Sequence, residues 1–88
     1  MRVVYKYVLE AGITNTISLP VGAKVLDVKI QRNDFCIWIL LDPQAHNIVN
    51  RKFVVIGTGM IFDVPIQEHV GTVMTDDHAY VFHIFEVK

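Results

Sequence analysis

Apolar residues recur in this chain with a period of two, and no window of eleven or more residues carries the i, i+3, i+4, i+7 spacing of an amphipathic helix. Successive side chains of a strand point to opposite faces, so such a chain builds sheets. Val3, Tyr5, Tyr7 and Leu9 alternate with Val4, Lys6 and Val8, which predicts a first strand ended at Ala11-Gly12. Thr16 to Leu19 gives a second, stopped by Pro20 and Gly22. Leu26, Val28 and Ile30 alternate with Asp27, Lys29 and Gln31 in a third, and Arg32-Asn33-Asp34 reads as its turn. Phe35 to Leu41 is a fourth strand, closed by Asp42-Pro43, with Gln44 to Asn50 as a polar loop. Lys52 to Ile56 forms a fifth, broken at Gly57-Thr58-Gly59, and Met60 to Asp63 continues it briefly. His69 to Met74 and His78 to Val87 read as a closing hairpin around Thr75-Asp76-Asp77. Six to seven short strands in 88 residues predict one all-β domain over 1–88, a small antiparallel sandwich or partly open barrel.

Several strands are apolar on both faces, and such strands need cover on both. Two registers of the third and fourth strands follow from the turn. With Arg32, Asn33 and Asp34 all in the loop, Val28 meets Trp38. With only Asn33 and Asp34 turning, Val28 meets Ile39 and the second face carries Cys36, Trp38 and Leu40. Either register leaves a second apolar surface, and the last strand repeats the feature with Val81, His83, Phe85 and Val87 opposite Phe82 and Ile84. A two-layer domain covers only the inner faces, so the pattern predicts a homo-oligomer. The alternative is a long loop such as Gln44 to Asn50 folded over one face. Trp38, flanked by Ile37 and Ile39, is expected to be buried.

Eight Lys and Arg against nine Asp and Glu leave a formal charge of -1, which excludes the electrostatic footprint of a nucleic-acid or membrane-surface binder. The longest apolar run, Phe35 to Leu41, is far short of the roughly 20 residues that span a bilayer. Lys6 and Glu10 interrupt the only stretch that could act as a secretory signal. Cys36 is the single cysteine and lies inside an apolar run, so an inert thiol in a reducing cytoplasm is expected.

Catalysis needs an activated nucleophile beside an oriented base, and neither Ser18 nor Cys36 has that setting, so a non-catalytic protein without cofactor is expected. The aspartates fall mostly at turns, where Asp bonds its own backbone. A three-residue loop in the closing hairpin would set His69 opposite His83 as a metal or anion clip, whereas a two- or four-residue loop would separate them. Gly57, Thr58 and Gly59 could expose backbone N–H groups as an anion nest, with Arg51 and Lys52 at the start of the same strand. Tyr7 or Trp38 could stack a base against such a phosphate.

Tyr5-Lys6-Tyr7, Leu19-Pro20 with Gly22-Ala23-Lys24-Val25-Leu26, Trp38, Asp42-Pro43, Phe53 with Gly57-Thr58-Gly59, Gly71-Thr72 and Val81-Phe82-His83-Ile84-Phe85-Glu86 together resemble a family of short uncharacterised proteins of phages and prophages. The resemblance spans nearly the whole chain. It implies a small accessory protein acting in an infected bacterium, and it carries over no activity and no site residues. The combined expectation is a non-catalytic homo-oligomer that binds a ligand, with a nucleotide-derived signalling molecule held at Arg51, Lys52, Gly57, Thr58, Gly59, Tyr7 and Trp38. The alternative expectation is a protein-interaction module that binds or inhibits a host protein through an exposed strand edge or apolar face.

Overall fold

In the computed structural model, which describes residues 1–88, the alternation becomes seven strands: β1 (Val3–Leu9), β2 (Asn15–Pro20), β3 (Lys24–Gln31), β4 (Asp34–Leu41), β5 (Ile48–Gly57), β6 (Ile66–Met74) and β7 (Val81–Val87). They form a three-stranded sheet, β1-β4-β3, and a four-stranded sheet, β2-β5-β7-β6, with every pairing antiparallel. The fold is all-β, two open sheets in a sandwich. No helix is long and apolar enough to cross a membrane.

The β3–β4 turn has two residues, as in the second register read from the sequence, but it sits one position earlier. Gln31 pairs with Asp34, so only Arg32 and Asn33 turn, both at positive φ (51° and 67°). This is the two-residue type I′ geometry whose twist matches antiparallel strands, and Asn33 tolerates it well. Val28 therefore meets Ile37, and Ile30 meets Phe35. The faces are those of the second register, although the pairs are shifted by two residues. Val3, Tyr7 and Leu9 of β1 join Ile37, Ile39 and Leu41 on the inner side, while Cys36, Trp38 and Leu40 face outward beside Val4 and Val8. Trp38 is thus half-buried on the outer face and not a core residue. Cys36, on the same face, is nonetheless buried. Lys6 of β1 reaches over β4 to donate to Gln31 of β3 at 2.8 Å, and the registers place that crossing at Cys36.

Against this sheet the second presents Leu19, Phe53, Val55, Val73 and Ile84. Its outer face is also apolar, with Val54, Phe85 and Val87, and here a loop supplies the cover. The segment from Thr58 to Pro65 carries the chain from β5 across β7 to β6. Phe62 lies with its ring centroid 5.5 Å from that of Phe85, and the Lys88 N–H donates to the Pro65 carbonyl at 3.0 Å. The covering loop is therefore this one, where a short continuation of β5 was expected. Gln44 to Asn50 is partly strand, since β5 begins at Ile48. The β6–β7 connection is longer than the three-residue turn, because Met74 pairs with Val81. It is held by Asp77, which accepts from the Thr75 hydroxyl and the Ala79 N–H and is thereby kept below the usual carboxylate range.

The sandwich is closest where β3 passes β6. A Cβ added to Gly71 would stand 2.5 Å from Val28 Cγ2, so only glycine lets the two strands approach this far. Gly71→Ala is expected to cost about 1–3 kcal/mol by overpacking, and the loss should shrink when Val28→Ala is added, as urea melts of the two single variants and the double variant would show. The same assay separates the faces. Phe53→Ala, at a fully buried position, should lose about 3–5 kcal/mol, and Trp38→Ala should lose less than half as much.

Candidate functional site

Neighbouring residues of a strand face opposite ways, so β5 sends Arg51 inward and Lys52 outward. Arg51 is a working part of the fold. Its Nε and Nη2 donate to Glu86 Oε2 and Oε1, both at 2.7 Å, and its Nη1 donates to the Ala23 carbonyl at 2.6 Å. The guanidinium also lies 5.8 Å from the centroid of the Phe53 ring. Glu86 is 3% exposed and ranks among the core. Its hydrogen bonds hold the Arg51 pKa above the ordinary value against the opposing effect of burial, and its charge and that of Glu68 act in the same direction. The fork ties β5 to β7 and both to the β2–β3 turn, which links the sheets.

Two open hollows flank Arg51. One, of about 480 Å³, is bordered by Lys24, Leu26, Glu68 and His69, and the other, of about 520 Å³, by Lys52, Glu68, Glu86 and Lys88. Glu68 lines both, together with Lys24 in the first and with Lys52 and Lys88 in the second. Gly57 lies six residues along β5 from Arg51, a distance of roughly 20 Å. There the Thr58 N–H donates to the Val81 carbonyl and the Met60 N–H to the Gly57 carbonyl, each at 3.0 Å. Gly59, at φ 86°, allows this turn, in which the Thr58 and Met60 amides are spent within the chain. Tyr7 faces inward on β1, where burial and then Tyr5 push its phenol pKa up, and Trp38 faces outward on β4. The structure thus brings Arg51 and Lys52 to one end of the second sheet, Gly57, Thr58 and Gly59 to the other, and Tyr7 and Trp38 to opposite faces of the first.

The two histidines share the outer face of the second sheet without meeting directly. His83 pairs with Thr72, and His69 with Phe85. The Thr72 hydroxyl lies 3.1 Å from His83 Nδ1 and 3.1 Å from His69 Nε2, while Thr58 Oγ1 lies 2.7 Å from His83 Nε2. One proton order satisfies the whole row. His69 Nε2–H donates to Thr72, Thr72 to His83 Nδ1, His83 Nε2–H to Thr58, and Thr58 to the Val81 carbonyl. Both ring nitrogens of His83 are then occupied by hydroxyls, as suits a histidine that holds the Thr58 turn to the sheet.

The remaining feature is an edge. Exposed sheet edges offer unpaired N–H and C=O groups, and natural sheets blunt them with bulges, proline or charge. β3 is blunted by a bulge at Leu26 and by Lys24 and Lys29. β6 is irregular at two places, and β2 is short and ends on Pro20. β1 has none of these devices except Lys6, for its seven residues pair with β4 without irregularity and its outer side is unpaired. Val4 and Val8, 46% and 53% exposed, border that edge, and Trp38 and Leu40 continue the apolar surface inward. Sequence reasoning named such an edge in general terms and did not single out β1, because edge status depends on strand order.

Fold and surface define a small two-sheet β-sandwich with an ion pair locking one end and a single strand edge that carries neither bulge nor proline. The chain belongs to the family described as Domain of unknown function (DUF7352), whose model matches residues 1–88. Comparison with curated proteins finds no match, and comparison with solved structures finds none.

If the Arg51–Glu86 fork is structural, breaking it from either side should be costly. Arg51→Ala and Glu86→Gln are each expected to lose about 3–5 kcal/mol, because each leaves a desolvated partner, whereas Arg51→Met with Glu86→Leu should recover most of the loss. Chemical denaturation of the three variants is the check.

Proposed function

We propose that this protein is a non-catalytic association module that adds an extended strand of another chain to the free edge of β1. The observation that supports this reading is the contrast among the four edges, three blunted and one regular, with Val4 and Val8 exposed beside it. Strand addition draws affinity from main-chain hydrogen bonds and specificity from alternate side chains, and both are on offer at β1. The resemblance to short phage and prophage proteins supplies a setting, the cytoplasm of an infected bacterium, in which a host protein would be a fitting partner. A sponge for a nucleotide-derived signal draws less support, since Arg51 is held by Glu86 and the glycine turn is far from it. Lys52, exposed beside the second hollow, is what remains in its favour.

Panning a random peptide library over the wild type and over V4K/V8K tests the proposal. The wild type should select extended sequences with alternating apolar residues, and their affinity for the variant should fall at least tenfold, about 1.4 kcal/mol. Selection of no peptide, or equal affinity for both proteins, would count against strand addition. Calorimetric heat from a mono- or cyclic dinucleotide that disappears in Lys52→Ala would turn the reading toward the sponge.

A further inference from the structure

β1 reads the same in both directions from Lys6: Val3-Val4-Tyr5-Lys6-Tyr7-Val8-Leu9, with Val and Leu as the outermost pair. A two-fold axis perpendicular to the sheet at Lys6 would lay two such strands antiparallel with Val4 against Val8, Tyr5 against Tyr7 and Val3 against Leu9. We propose that the strand β1 takes is the β1 of a second copy in this register, which joins two three-stranded sheets into one of six. This rests on the strand-addition reading and names its partner.

Three observations support the second copy. First, the match holds on both faces at once, valine on valine outside and tyrosine on tyrosine inside, as cross-strand pairing requires. A slip of two residues either way would set Lys6 against a valine, and a slip of one would turn every side chain to the wrong face. Second, the one charge at the centre is already drawn aside. Lys6 Nζ is held by Gln31 Oε1 at 2.8 Å across β4, away from the edge where its symmetry mate would stand. Third, an isologous pair uses up both free edges and closes, so a regular apolar edge does not propagate into fibres. Magnitude sets the expected strength. Seven residues at roughly 3.4 Å each make an edge of about 24 Å along one sheet, a contact at the lower end for specific interfaces. A reversible dimer in the micromolar range is expected.

Sedimentation equilibrium from low to high micromolar protein tests the register. The wild type should pass from the 10.0 kDa chain mass to twice that mass. V4K/V8K places lysines opposite each other and should remain at the monomer mass. V4K/V8E places each lysine opposite a glutamate of the other copy and should regain the dimer, now weakened by salt. Circular dichroism melts of both variants, substituted at exposed positions, verify that they fold. A wild type that stays monomeric throughout, a V4K/V8K that dimerises as well as the wild type, or a folded V4K/V8E no better than V4K/V8K would overturn the inference. A monomeric wild type whose panned peptides still lose affinity for V4K/V8K would overturn the self-pairing alone and leave strand addition standing.

Discussion

Phe53, Leu19, Ile37, Ile39 and Ile84 lose essentially all contact with water between the two sheets, and the rest of the molecule is arranged around keeping them so. Each such burial is worth roughly 1.5–3 kcal/mol, and in a chain of this length there are few of them. The sheets must therefore approach closely, which is why β3 and β6 tolerate no side chain at Gly71. They must also hold their register, because a one-residue slip of β4 would exchange Ile37 and Ile39 for Trp38 and Leu40. The Arg32-Asn33 turn secures that register locally, through two residues in the left-handed region.

Polar groups enter this core only where they lock it. Glu86 is carried into the interior by the same alternation that carries Ile84, and it is tolerated because Arg51 meets it with two hydrogen bonds. Arg51 spends a third donor on Ala23 and so fixes the turn by which the chain passes from one sheet to the other. A cation so engaged is a poor recruiter of phosphate. The His83 row on the opposite side of the sheet is similarly inward-looking, with hydroxyls on both ring nitrogens.

The outer faces are treated unequally. The loop from Thr58 to Pro65 shields Phe85 with Phe62. On the three-stranded sheet the Lys6–Gln31 hydrogen bond crosses β4, on whose outer face Cys36 is buried, while Val4, Val8, Trp38 and Leu40 keep part of their surface in contact with solvent. That half-covered face runs to the one edge without a bulge or a proline.

Period-two alternation, together with Gly, Pro and Asn-Asp breaks, determined that the chain is all-β and antiparallel and roughly where each strand lies, because side-chain alternation is a property of the extended backbone itself. It also made the excess of apolar strand faces visible before any fold was known. The tertiary structure alone decided the rest. Arg51 and Lys52 are adjacent in sequence yet face opposite ways, Glu86 and Arg51 are 35 positions apart yet share a fork, and Trp38 sits in the most apolar run yet points outward. Which face is inner depends on the length of the turn in Arg32-Asn33-Asp34, which the composition leaves at two or three residues and the fold sets at two, Arg32 and Asn33. Which strand is a free edge depends on the order β1-β4-β3, since hydrogen-bond pairing between strands is a non-local choice made when two sheets find the packing that buries Phe53 and Ile37 together.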